Sequence, residues 1–308
     1  MKILLRLMVV SLIVFGTANA QSAKSVLFIG NSFTFGDRAA VHFYRANTVT
    51  DLNHEGIGGV PALFKTFTSE AGLAYDVSLE THPGVGLDWH LAQKRDVLSQ
   101  RAWDVVVMHG YSTLDSAKPG DPATLVASAT AMADLLRQKN PNVEIHLMAT
   151  WSRADQTYPS TGHWHGQPID AMARDVRAGY DKAAEAAHIP SVIPVGGAWL
   201  RAFQTGVADP NPYDGIDADK VDLWTYDHYH GSTYGYYLNA LVIFGDLTGR
   251  DPRSLTEREC AAFELGLSTA QAKALQQVAF DELTSAHVQM TAAAPVRPAT
   301  ASARCAAE

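Results

Sequence analysis

The 308-residue sequence holds only two cysteines, Cys260 and Cys305, too few for a disulfide framework. Charge is also sparse, at 18% of residues, with 32 acids against 24 bases for a formal charge of −8. No block of lysine and arginine stands ready to neutralise a phosphate backbone, so nucleic acid is not expected as a partner. No Gly-x-Ser-x-Gly occurs, which argues against a serine on the strained mid-chain elbow of the α/β-hydrolases. Nor is there an internal repeat, or an apolar run beyond the first twenty residues long enough to span a bilayer. What remains is an ordinary globular balance, 47% hydrophobic, enough for one substantial core; disorder, collagen and coiled coil are excluded.

The N-terminus differs from the rest. Lys2 and Arg6 flank the start of an apolar run from Leu7 to Phe15 that ends in Ala18-Asn19-Ala20, the layout of a cleavable secretory signal. The run is short for a bilayer span, and small residues stand where a signal peptidase needs them. Cleavage is expected after Ala20, which removes Lys2 and Arg6 and moves the formal charge from −8 to −10. No cysteine follows the run, so a lipoprotein is not expected, and after cleavage no membrane span is expected either. Export would place Cys260 and Cys305 in an oxidising compartment. There they would either bridge, tying the Ala-rich C-terminal tail to the body, or stand as two free thiols.

Short β-branched or apolar runs recur along the chain, at Val26 to Ile29, Tyr75 to Leu79, Asp104 to Met108, Val143 to Met148 and Ile189 to Val195. Helix-compatible segments separate them, so the alternation predicts a parallel sheet inside an α/β/α sandwich. Val105-Val106-Val107, apolar at consecutive positions, suits a strand covered on both faces. Pro61 can open a helix running to about Ala71, with Gly72 as its stop; Ala123 to Lys139 and Ile169 to Ala187 carry apolar residues at helical spacing. Two segments, Trp151 to Pro168 and Gly206 to Trp224, read as long loops, which places them near a substrate. After Pro295 the Ala, Pro, Thr and Ser mixture reads as a flexible terminus.

Two blocks carry chemistry. Val26-Leu27-Phe28-Ile29-Gly30-Asn31-Ser32 is a strand that stops on a glycine and presents a serine just beyond its carboxyl end, where open α/β sheets bind ligands. The plain alternative is an Asn-Ser cap or turn. Near the other end stands Tyr226-Asp227-His228-Tyr229-His230. A serine hydroxyl is a weak nucleophile until a base takes its proton, and imidazole suits that task at neutral pH. Asp227 and His230 are three apart, so one turn of chain can set the carboxylate against Nδ1 and leave Nε2 for the serine. The plain alternative here is surface polarity preceding a helix, with His230 or Ser232 as its cap.

The pairing of an N-terminal strand-end serine with a C-terminal Asp-x-x-His resembles the SGNH, or GDSL-like, hydrolase superfamily. Gly30-Asn31-Ser32 matches its nucleophile block, and Phe33-Thr34 resembles a GNSFT-type branch. Asp227-His228-Tyr229-His230 matches its closing block, and Gly235-Tyr236-Tyr237-Leu238 resembles the Gly-x-Tyr-Leu pattern of the same branch. The resemblance covers roughly residues 25 to 250 and implies a flavodoxin-like three-layer α/β/α sandwich with a mostly parallel five-stranded sheet; the domain is expected over 21–290, with a flexible tail at 291–308. It assigns Ser32 as nucleophile, His230 as base and Asp227 as its orienter, with His228 as fallback base. It also implies an oxyanion hole from the Ser32 amide, a glycine amide after the second strand, and an Asn side chain after the third. Gly86, before a helix start, is preferred to Gly84 for the glycine. The Asn position of Gly-x-Asn-Asp is occupied by Ser112 in Gly110-Tyr111-Ser112-Thr113, a departure that leaves Ser112, His109 or Tyr111 as the third donor.

These readings converge on a secreted or periplasmic serine esterase without a cofactor, acting on short acyl esters, foremost acetyl. The aromatic loops, with Trp151, Trp164 and Tyr229, point to a carbohydrate substrate. Lipase, thioesterase and aryl esterase activities belong to the same fold. Two further readings compete. His163-x-His165 and His228-x-His230, with Asp155 or Asp227, would make a metallohydrolase. Trp151, Trp164, Trp199, Trp224, Tyr226 and Tyr229 as a sugar platform would make a binding module, but one that leaves Ser32 and the Asp227–His230 pair unexplained. Oligomeric state cannot be read from the sequence.

Overall fold

The computed structural model describes residues 22–291 and Cys305; the expected signal at 1–20, its cleavage point and most of the C-terminal tail lie outside the described residues. Six strands, β1 (Lys24–Gly30), β2 (Thr50–Asp51), β3 (Tyr75–Thr81), β4 (Val105–Met108), β5 (Glu144–Met148) and β6 (Ser191–Ile193), form one sheet in the order β2-β3-β1-β4-β5-β6. Every pairing is parallel, with Val26 opposite Val77 on one side and Val105 on the other. Five of these are the strands the apolar runs predict. The sixth, β2, is a two-residue edge strand, too short to produce an alternation legible in sequence.

The period-two alternation of side chains divides the core. Val26, Phe28, Val105 and Val107 face one layer, and Leu27, Ile29, Val106 and Met108 the other. The first layer holds α2 (Gly59–Glu70), α8 (Val195–Gln204), α9 (Thr233–Thr248) and α11 (Thr269–Ser285). The second holds α3 (Leu87–Gln93), α5 (Ala123–Lys139) and α7 (Asp170–Ala186). Short helices α1 (Ser32–Phe35), α4 (Arg95–Leu98), α6 (Ala154–Thr157) and α10 (Cys260–Glu264) fill the connections. α9 is apolar nearly all round and buried from Gly235 to Gly245, as a helix with no polar face must be. Gly235 in its first turn is obligatory: a Cβ there would lie 2.3 Å from the Leu223 carbonyl oxygen and 2.6 Å from the Trp199 ring.

Cys260 and Cys305 are joined in a disulfide, which settles the alternative that the sequence leaves open. The order of strands also fixes where chemistry can occur. From β1 the chain goes out to the edge strand β2, returns to β3 beside β1, then crosses β1 to place β4 on its other side. The carboxyl ends of β1 and β4 therefore border the switch point at which successive connections part and a crevice opens.

Candidate active site

β1 ends on Gly30, whose missing Cβ is required, since one would lie 2.3 Å from Thr34 Oγ1 and 2.4 Å from His109 Nε2. Asn31 then caps α1, its Oδ1 accepting from the Phe33 amide at 3.1 Å, and Ser32 opens the helix. The Asn31 carboxamide also reaches across the crevice. Its Nδ2 donates to the Val85 carbonyl at 2.9 Å and the Gly110 carbonyl at 3.2 Å, so one side chain ties the Ser32 turn to the loops after β3 and β4. Ser32 is 4% exposed. Beneath it, His90 on α3 hydrogen bonds the Gly30 carbonyl through Nε2 at 2.9 Å, while its Nδ1 abuts the buried Glu80 carboxylate.

Asp227 and His230 stand in a tight loop closed by the Trp224–Gly231 bridge and by a 2.8 Å bond from the Thr225 amide to the His230 carbonyl. Asp227 Oδ1 accepts from the Thr225 hydroxyl at 2.8 Å and from the Tyr229 and His230 amides, both at 3.0 Å. Its Oδ2 lies 2.7 Å from His230 Nδ1 and 2.9 Å from Arg38 Nε. Burial opposes ionisation of this carboxyl. The bonds it accepts from the His230 ring, the His230 amide, Thr225 and Tyr229 outweigh that cost and hold it well below the usual carboxylate range. The three-residue spacing thus delivers the imidazole to the carboxylate.

The two ends of the chain meet here. The Tyr236 hydroxyl donates to the Ser32 carbonyl at 3.2 Å, and the Phe33 ring meets the His230 ring edge-on with centroids 5.9 Å apart. Ser32 Oγ and His230 are not hydrogen-bonded to each other; His230 Nε2 lies 3.6 Å from Asp37 Oδ2. Asp37 and Arg38 were not singled out by sequence reasoning. Their only signal is position, five and six residues after the serine. His228, the fallback base, adopts a left-handed backbone and turns its ring onto Tyr213, with centroids 4.4 Å apart.

A cavity of about 170 Å³ adjoins the serine turn, lined by Asn31, Gly84, Tyr111, Ser112, Thr113, Ser116, Arg153 and Tyr229. Of the two candidate glycines, Gly84 borders this space, whereas Gly86 caps α3 under the Tyr111 ring. Of the three candidate donors, His109 is turned away. Its Nδ1 bonds the Gly110 carbonyl at 3.0 Å and its Nε2 meets Thr34 Oγ1 at 2.8 Å. Burial pushes its pKa down to about 4, so the ring is neutral across the physiological range. Ser112 borders the cavity, and Arg153, missed at the sequence level, donates to its hydroxyl.

The aromatic expectations need correction. Trp151 and Trp164 are 0% and 1% exposed and offer no ring face to a ligand. Trp151 is stacked between Phe33 at 3.8 Å and Trp199 at 4.6 Å, and Trp199 and Trp224 are buried as well. The indole N–H groups find acceptors inside, Trp151 at the Tyr229 carbonyl and Trp164 at Asp175, so nothing draws them outward. Tyr229 does line the cavity, and Tyr226, 75% exposed, carries the Arg38 guanidinium 5.5 Å from its ring centroid. The histidine pairs do not assemble a metal centre: among the described residues no three His, Cys, Asp or Glu side chains are grouped to hold one.

No family profile and no curated protein matches this sequence. Solved structures do. A DUF4886 family protein from Bacteroides uniformis superposes with a TM-score of 0.62 at 18% identity, covering 88% of this chain and 98% of its own. A protein described as a GDSL-like lipase from Parabacteroides merdae gives 0.54 at 18% identity, with 75% and 98% covered. A protein described as an SGNH hydrolase from Slackia heliotrinireducens gives 0.51 at 20% identity, with 73% and 100% covered. The chain has the SGNH hydrolase fold. In this chain Ser32 follows β1 directly and the Asp227–His230 pair directly precedes α9.

Proposed function

We propose that the protein is a secreted serine esterase of the SGNH type that removes short acyl groups, foremost acetyl, from carbohydrate. The observation that carries this reading is the Asp227–His230 hydrogen bond, held in a loop packed against the Ser32 turn. His230 Nε2 takes the proton as Ser32 Oγ attacks the ester carbonyl, and Asp227 keeps the proton on Nδ1 and stabilises the imidazolium. The tetrahedral oxyanion is met by the Ser32 amide, by a glycine amide from the Gly84–Gly86 turn, and by the Ser112 hydroxyl. Return of the proton expels the alcohol, and water then releases the acyl group by the same steps in reverse roles. No step calls for a cofactor.

A cavity of about 170 Å³ beside Asn31, with hydroxyls and a guanidinium on its walls, supports a short acyl group over a long apolar one. Tyr226, next in sequence to Asp227, supplies an exposed ring on which a sugar can stack. The N-terminal signal layout supports export, and no helix among the described residues is long and apolar enough to cross a membrane. The test is a panel of p-nitrophenyl esters of increasing chain length beside acetylated xylan and other acetylated glycans. Acetate should turn over fastest, a fluorophosphonate should label the protein, and Ser32→Ala should lose both while remaining folded. Faster turnover of long acyl chains defeats the deacetylase reading, and a fully active Ser32→Ala defeats the mechanism.

A further inference from the structure

Ser112 stands where SGNH relatives are expected to present an Asn side chain, and a serine hydroxyl is a shorter and weaker donor than a carboxamide. The structure holds a second group behind it. Arg153, in the loop following β5, directs Nη1 at Ser112 Oγ from 3.2 Å. A guanidinium has only N–H groups to offer, so the direction of this bond is fixed: Arg153 donates and the serine oxygen accepts. The serine's own proton must then point elsewhere, and Ser112 Oγ makes no other hydrogen bond among the described residues, while its residue lines the cavity next to Asn31.

Arg153 is held for this task. Its Nε and Nη2 form a fork on Asp155, at 3.0 Å to Oδ1 and 2.6 Å to Oδ2, and its guanidinium lies 3.5 Å over the Tyr229 ring. Asp155 in turn donates its amide to the His228 carbonyl at 3.1 Å, so the support is anchored in the same loop that carries His230. The fork also compensates the positive charge, which argues against Arg153 as a docking point for an anionic substrate. What it leaves is an oriented, charge-assisted donor to one hydroxyl, and a hydroxyl that accepts such a bond becomes a better donor itself.

We infer that Arg153 is a positioning residue that aims and polarises the Ser112 hydroxyl as the third oxyanion donor, the pair together replacing the absent Asn. The role rests on the esterase reading above. It predicts an effect on the transition state and not on substrate binding, because the hydroxyl bonds strongly only where negative charge develops.

The experiment is a double-mutant cycle on p-nitrophenyl acetate hydrolysis with Ser112→Ala, Arg153→Met and the pair, with folding followed by circular dichroism. Ser112→Ala should lower kcat by about 100-fold, the low end of the range for losing one oxyanion donor. Arg153→Met should lower kcat by about 10-fold or more with KM within about 2-fold, and should cost less than about 3-fold once Ser112 is already alanine. Added guanidinium should restore part of the kcat of Arg153→Met but none in the double variant. If Arg153→Met does not fold, Asp155→Asn, which loosens the fork without removing the guanidinium, takes its place in the cycle and should show the same dependence on Ser112. Multiplicative losses, or a rise in KM at constant kcat, would overturn the role of Arg153 while leaving the esterase standing. A wild-type protein that neither turns over esters nor reacts with a fluorophosphonate would overturn both.

Discussion

Asp227→Asn changes one atom, and the site makes the consequence calculable. In the wild-type protein Oδ1 accepts from three donors, the Thr225 hydroxyl and the Tyr229 and His230 amides, while Oδ2 faces His230 Nδ1 and Arg38 Nε. The asparagine oxygen must keep the Oδ1 position, because an NH₂ there would confront three donors at once. The NH₂ therefore replaces Oδ2 and points its hydrogens at His230 Nδ1. The imidazole can meet it only as an acceptor, which moves its proton to Nε2 and leaves no lone pair to receive the proton of Ser32. An orienting carboxylate replaced in this way costs a serine hydrolase about 10⁴ in kcat, or about 5 kcal/mol of barrier. Steady-state hydrolysis of p-nitrophenyl acetate measures the loss, and the rate of fluorophosphonate labelling should fall in parallel, since both need the base. Folded protein with kcat within tenfold of wild type would refute the reasoning. So would an Asp37→Asn variant that loses as much, because that would make Asp37, 3.6 Å from Nε2, the carboxylate that matters.

Other consequences concern stability. Trp151→Ala should cost about 3 to 5 kcal/mol in a urea titration, because the ring is enclosed between Phe33 and Trp199, whereas Tyr226→Ala should leave stability unchanged and raise KM for acetylated glycan alone. Cys260→Ser with Cys305→Ser should lower stability by about 4 kcal/mol on chain-entropy grounds for a separation of 45 residues; a change below about 1 kcal/mol would mean that the bridge constrains little. Burial and the neighbouring Glu70 carboxylate push Glu259 up to about 8 from an ordinary value of 4.5, so the folded state retains a proton that the unfolded state gives up. Stability should therefore fall as pH rises from about 5 to 8, and Glu259→Gln should flatten that slope; an unchanged slope would place the titration elsewhere.

Much of the fold was legible because its signals are local. β1, β3, β4 and β5 appear as apolar runs, and α5 was bounded at Ala123 and Lys139 by the same residues that bound it in the structure. The two candidate blocks were legible for a similar reason: each packs its polar residues into a few consecutive positions. What the sequence hid is non-local. Arg153 follows β5 and meets a residue that follows β4, and no spacing rule links positions 112 and 153. The tryptophans misled because the same side chain serves a core or a sugar face, and only its neighbours decide. With Phe33, Trp199 and Tyr236 gathered around it, Trp151 became part of the floor on which the serine turn rests.

On the proposed mechanism, alignment of the loops accounts for how a serine can stand where an Asn is expected. The proposed oxyanion donors sit on three separate loops, after β1, β3 and β4, and hydrogen bonds of developing charge reward only donors already in place. Asn31 supplies the alignment by holding Val85 and Gly110 with one carboxamide, and His109, kept neutral by burial, fixes the first residues after β4 to Thr34 through a short internal bond. With the loop backbone fixed from behind, the side chain at 112 needs only the right direction for its proton, and a shorter group suffices if a second one turns it. The substitution at 112 and the arginine at 153 are then one feature of the site and should stand or fall together under mutation.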